Sequence, residues 1–247
     1  MLNKERLNRF LHKFGFEVHG LGYMQSLKKN SFKEDAFRVQ QEILGDTVKV
    51  IFDVGANRGN TVMEYRGLFP GATIFAFEPF ADTYDHLSQK MKGMKNIFCI
   101  QSAISDTVGT KTLFVNNNID TNSLLPSISS GLSSDKQVIT RGKVEVLTET
   151  IDEFCKTRNI RQVDILKLDI QGGELAALKG AQELLCNKKI RLIYTESFFK
   201  GQYLDQPLFY DIANYLRGFK YHLKDIYDPH YGKGAIAWCD CIFLPDA

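Results

Sequence analysis

The spacing of hydrophobic positions changes character along the chain. Near the start, Leu7, Phe10, Leu11 and Phe14 recur at i, i+3, i+4 and i+7, one face of a helix. Ser31 and Glu34 form a capping box before a second helix with Phe32, Ala36, Val39 and Ile43 inward. Residues 1–45 therefore read as a helical cap. From residue 48 the apolar runs become short and continuous. Residues 48–54 (VKVIFDV), 72–78 (ATIFAFE), 96–101, 163–169 and 190–196 read as strands, with helices over 60–69, 82–92 and 174–186. A further helix opens at Asp205 and Pro207 and stops at Gly218; strands over 221–227 and 235–244 finish the chain. Strands without strict alternation, separated by helices, indicate βαβ units and a parallel sheet covered on both faces. Only residues 228–234 join the last two strands, too few for a parallel crossover, so the final strand must be antiparallel. Residues 46–247 then form one α/β domain. It is interrupted by β segments at 102–106 and 110–115 and by a Ser- and Asn-rich stretch, 116–142. The length of that stretch suits a mobile cover over an acceptor site.

The chemistry gathers at strand ends. Asp53-Val-Gly55-Ala-Asn57-Arg-Gly59-Asn60 lies where a strand turns into a helix, the context of a nucleotide-binding glycine loop. Glycines there permit φ > 0 and close approach of a ligand to the backbone. Glu78 ends the next strand and is placed to accept both hydroxyls of a ribose. The spacing is G-x-x-x-G, without the third glycine of a dinucleotide fingerprint. Asp53 and Asp169 end strands on either side of the crevice; such carboxylates repel a pyrophosphate and attract an amino group or a sulfonium. That pattern favours S-adenosylmethionine over NAD.

Composition narrows the partners. Lys and Arg number 31 against 29 Asp and Glu, a net charge of +2, which offers little grip on nucleic acid. The five cysteines (99, 155, 186, 239 and 241) form no metal-binding spacing and read as reduced thiols of a cytoplasmic protein. No apolar run approaches the roughly 18 residues of a membrane span, and the N-terminus does not read as a secretory signal.

The stretches FDVGANRGN, FAFEP, QSAISD, ILKLDIQGGELAALKGA and TESFFKGQ, in that order over about residues 49–225, resemble the FkbM-type family of S-adenosylmethionine-dependent methyltransferases. The resemblance implies the class I methyltransferase fold, Rossmann-like, with a seven-stranded, mostly parallel sheet and an antiparallel last strand. It also implies methyl transfer to an oxygen of a small-molecule or glycan hydroxyl acceptor, such as a sugar or natural product. By it, Asp53, Gly55, Asn57 and Gly59 would cradle the methionine end of the cofactor. Glu78 would hold the ribose, with Pro79 shaping the turn, and Ser102 and Ala103 would line the adenine pocket. Asp169 would face the methionine portion or the methyl. Asn122 and Ser123 resemble a substrate loop, and Gln171 stands where members often carry Glu. A homodimer is the oligomeric state allowed for.

An alcohol is a poor nucleophile, so a base beside it helps. Glu196, ending a strand, has the best placement; capping the following segment is its structural alternative. His230 is placed on the 228–234 turn overlooking the crevice, or is a solvated turn histidine. Glu174 is a third candidate, or a first-turn acid answering a helix dipole. Two other functions remain in view: a nucleotide-dependent oxidoreductase on the same core, and a non-catalytic binding module.

Overall fold

Adjacent residues in the central strands point to opposite faces of the sheet, and both faces are buried. The structure is a computed structural model and describes residues 35–128, 138–232 and 234–246. The helix built on Leu7–Phe14 lies outside them. Seven strands form the main sheet in the order β3-β2-β1-β7-β8-β10-β9. These are β1 (Val50–Val54), β2 (Thr73–Phe77), β3 (Ile97–Ile100), β7 (Val163–Leu168), β8 (Ile190–Phe198), β9 (Tyr221–Gly232) and β10 (Ala235–Pro245). All neighbours pair in parallel except β10, which runs antiparallel to both β8 and β9. This is the expected α/β architecture with its antiparallel last strand.

The pairs Ile51/Phe52, Ile165/Leu166, Leu192/Ile193 and Ile242/Phe243 each divide between two cores. The second member of each joins Phe77, Phe154 and Leu216; the first joins Ile74, Tyr65 and Leu87. Double coverage explains the absence of polar alternation. The covering helices are α1 (Ala36–Leu44), α2 (Asn60–Leu68), α3 (Ala81–Met91), α4 (Ile151–Thr157), α5 (Glu174–Lys179), α6 (Gln182–Cys186) and α7 (Phe209–Gly218).

Several boundaries differ from the sequence reading. Helix α1 starts later: its cap is Asp35, which accepts from Phe37 N at 3.0 Å, whereas Ser31 and Glu34 lie outside the described residues. Its Ala36, Val39 and Leu44 join the sheet core, and buried Gln40 accepts from the Tyr65 hydroxyl at 3.0 Å. The helix expected over 174–186 is two. A Cβ at Gly180 would lie 2.2 Å from the Ser105 carbonyl oxygen, and the close crossing breaks the helix there.

The stretch expected as loop 116–142 is partly strand. β6 (Thr140–Glu149) pairs antiparallel with β5 (Gly109–Asn116) and parallel with β4 (Ala103–Ile104), making a separate three-stranded sheet. Within β6 only Val146 and Thr148 are buried, so its polar outer face reads as loop. The β9–β10 connection is also tighter than the seven residues expected. β9 continues to Gly232, which places Asp228, His230 and Tyr231 within a strand instead of on a turn. Among the described residues no helix is long and apolar enough to cross a membrane.

Candidate active site

In an open parallel sheet, ligands bind outside the carboxyl ends of the strands where the chain order reverses. Here that point lies between β1 and β7, since β2 and β3 follow β1 on one side and β8 follows β7 on the other. A cavity of about 330 Å³ opens there. Gly55, Glu78, Asp169 and Glu196 reach it from the ends of β1, β2, β7 and β8. The strap after β5 covers it with Ile119, Asp120, Asn122, Ser123 and Leu124.

The structure brings most of the sequence candidates together. Gly55, Asn57, Glu78, Pro79, Ser102 and Ala103 line the cavity, as do Asn122, Ser123, Asp169, Gln171 and Glu196. Four do not line it. Asp53 is fully buried beneath the floor, its Oδ1 2.9 Å from the Lys167 ammonium. Gly59 (φ 75°) packs α2 against α3: a Cβ there would come within 2.7 Å of Leu87 and 2.4 Å of Met91. Glu174 is buried, and its Oε1 accepts from Ile170 N and Gly172 N at 3.0 and 3.2 Å, tying the 169–173 turn. His230 lies opposite Trp238 in the β9–β10 pairing and stacks on it, centroids 4.6 Å apart. Gly55 does line the cavity, but its missing Cβ makes room for protein: a Cβ would sit 1.9 Å from the Asp169 carbonyl oxygen.

Lys167 was not anticipated, though a lone lysine inside the run ILKLD was the available signal. Its ammonium donates to the carbonyls of Gly55 (3.0 Å) and Val54 (3.5 Å) and lies 3.7 Å from Asp169 Oδ2. Burial alone would pull its pKa down, but Asp53 and Asp169 outweigh burial and hold it raised. Asp53, whose carboxyl burial pushes up against the pull of Lys167, is therefore not the open charge the sequence suggested. Asp169, about half exposed, is.

Glu78 accepts one backbone amide on each oxygen: Asn57 N on Oε2 (3.1 Å) and Phe80 N on Oε1 (3.0 Å). Burial nevertheless pushes its pKa up to about 7. Each oxygen keeps a further lone pair for a donor. Glu196 is held well above the usual carboxylate range, first by burial and then by Asp169, Glu174 and Asp240. Its Oε2 accepts from Gln171 Nε2 at 2.7 Å.

Residues 53–223 match the methyltransferase FkbM domain. The chain belongs to the FkbM methyltransferase family. It is 26% identical over 193 residues to the 2-O-methyltransferase NoeI of Sinorhizobium fredii, covering 76% of each chain. It is 27% identical over 137 residues to the hexuronic acid methyltransferase AglP of Haloferax volcanii, 55% of this chain and 51% of AglP. The chain thus spans three quarters of one relative and about half of the other. Its fold resembles the crystal structure of an FkbM methyltransferase from Methylobacillus flagellatus, with a TM-score of 0.52 and 16% identity over 80% of this chain and 43% of that one.

The protein is a methyltransferase. The residues present fit the S-adenosylmethionine that the sequence resemblance implies. Glu78 offers paired acceptors for two neighbouring ribose hydroxyls, and Ser102 and Ala103 stand beside it for a base. The cavity is lined by four carboxyl groups and, among the described residues, by no cationic side chain. Such a wall suits a cationic amino acid and a sulfonium, and repels a pyrophosphate.

Proposed function

We propose that this methyltransferase acts on a hydroxyl oxygen of a sugar, glycan or natural-product acceptor, with Glu196 as the base. The observation that carries the reading is the position of Glu196: its carboxyl opens into the cavity that holds Glu78 and is oriented by the Gln171 amide at 2.7 Å. The relatives' names support an oxygen acceptor and a sugar: one is a 2-O-methyltransferase, the other acts on hexuronic acid.

S-adenosylmethionine, when bound, would supply the methyl group as the electrophile for the acceptor oxygen. Glu78 would hold the ribose, and Asp169 and Asn57 the amino-acid end. Glu196 removes the hydroxyl proton. The Asn122–Ser123 strap closes over the reacting groups and excludes water.

Replacing Glu196 by Gln keeps the shape and removes the base. Transfer to alcohol acceptors should fall about 10²–10⁴-fold while cofactor affinity stays within a few-fold of wild type. Single-turnover rates alongside calorimetric titration of S-adenosylmethionine would show this. Full-rate transfer by Glu196→Gln would remove Glu196 from the role.

A further inference from the structure

The charge of the cavity bears on the acceptor, given hydroxyl methylation as proposed above. Glu78, Asp120, Asp169 and Glu196 line it, and among the described residues no Lys, Arg or His does. The Lys167 ammonium beneath the floor is buried and taken up by Asp53, Asp169 and two backbone carbonyls. Whichever carboxyls are ionised, the described residues of the wall present only neutral or negative side chains. Asp240, directly opposite Glu196 in the β8–β10 pairing, extends the acidic character beyond it.

Several backbone amides at the strand ends are taken up within the protein. Four are already answered by the protein's own carboxylates: Asn57 N and Phe80 N by Glu78, Ile170 N and Gly172 N by Glu174. Carboxylate and phosphate groups are recognised by Arg forks, by Lys or by free amides. Among the described residues no Arg or Lys side chain lines the cavity. The single net positive charge of S-adenosylmethionine does not reverse a wall of four carboxyl groups.

We infer that the acceptor is neutral or cationic around its reacting hydroxyl, a plain or amino-substituted sugar, and that uronates and phosphorylated sugars are rejected. An anionic acceptor would meet like charge, with no cationic side chain among the described lining residues to replace its lost hydration. A carboxylate acceptor is also already a nucleophile and needs no base, whereas a hydroxyl has use for Glu196. On this point the chain parts from its relative named for hexuronic acid.

A matched panel tests the inference: methyl glucoside, its 2-amino analogue, its uronate and its 6-phosphate, each with the S-adenosylmethionine-loaded protein. The neutral and amino members should be methylated, with kcat/KM for the two anions lower by on the order of 10²-fold at low salt. The gap should narrow as ionic strength rises. Comparable transfer to the uronate or phosphate, or a gap indifferent to salt, would overturn the inference. Transfer only to neutral alcohols that are not sugars upholds the charge rule and removes the sugar. Transfer to the amino nitrogen removes the proposed hydroxyl chemistry and leaves the charge rule standing.

An acceptor-free measurement guards against a panel without substrates. S-adenosylmethionine and S-adenosylhomocysteine differ by one positive charge, so their affinity ratio should shift toward the homocysteine product as salt screens the wall. A ratio unchanged between low and high salt overturns the acidic wall itself.

Discussion

Gln171 adopts a left-handed backbone, φ 53°, and from it one amide serves two carboxylates. Its Nε2 donates to Glu196 at 2.7 Å and to Asp169 at 3.2 Å, while its Oε1 accepts from the Tyr203 hydroxyl at 2.9 Å. The two carboxylates set which end of the amide faces them. Gln171→Leu removes a donor to a charged group, a loss of about 1.5–3 kcal/mol, or roughly 10–100-fold in transfer rate. Without that donor Glu196 rises further, so the acid limb of the rate–pH profile should move to higher pH; an unmoved limb would separate Gln171 from the base. The sign for Glu78 follows from the same reasoning. Its carboxyl sits at about 7 without cofactor, and ribose hydroxyls donate to the ionised form. Cofactor affinity should therefore weaken as pH falls below about 7, and Glu78→Ala should lose about 2–3 kcal/mol, tens of fold, at pH 8. Titration calorimetry across pH reads both effects. These positions were unevenly legible in the sequence. Glu78 and Asp169 directly follow β2 and β7, and Glu196 stands two residues inside the end of β8. Glu174 and Asp53 carry the same charge at similar places, yet their side chains turn into the protein, and sequence position does not say which way a carboxylate turns.

The strap between β5 and β6 is pinned at several points. Asn57 Nδ2 donates to Asp120 Oδ1 at 2.8 Å, the Tyr203 hydroxyl reaches Thr121 O at 2.9 Å, and Ser123 Oγ donates to Gln171 O at 2.7 Å. Backbone bonds join Phe114 and Ser123 in both directions. One latch therefore ties the strap to the glycine loop and another to the Gln171–Tyr203 pair. The Asn57–Asp120 latch is exposed, a contact of about 0.5–1.5 kcal/mol. Asp120→Ala should speed cofactor release roughly 2–10-fold in stopped-flow traces without lowering the melting temperature of the cofactor-free protein; an unchanged release rate would mean the latch does not gate the cavity. The sequence reading missed this strap as an ordered element for a physical reason. Its partners are polar, short-range and drawn from four segments, whereas periodicity reports only burial of apolar faces. The same limit hid β6, whose outer face is solvated, and lengthened the apparent β9–β10 turn. His230 consequently moved from a turn to a strand and onto Trp238. The strands of the main sheet, buried on both faces, carry their signal in composition and were located to within a few residues.

Across the molecule, burial raises five carboxyl groups near the strand ends: Asp53, Glu78, Glu174, Glu196 and Asp240. A carboxyl raised in the folded state favours folding at pH values below its unfolded pKa, and that contribution is lost as pH rises through the folded one. For Glu78 and Glu174 the window runs from 4.5 to about 7. The cofactor-free protein should therefore melt at a lower temperature at pH 8 than at pH 5.5, and Glu174→Gln should flatten the trend; scanning calorimetry at both pH values would show it. S-adenosylmethionine, which brings positive charge to the same region, should stabilise the protein more at pH 8 than at pH 5.5. Such a concentration of acids at one sheet end suits a cationic ligand. Incubation with S-adenosylmethionine carrying a ¹³C-methyl group, followed by carbon NMR of the products from neutral hydroxylated acceptors, tests the proposed transfer to oxygen most directly. The account predicts one labelled methyl ether carbon per turnover, bonded to a former hydroxyl oxygen. A label found on nitrogen, on carbon or in a carboxylate ester would contradict it.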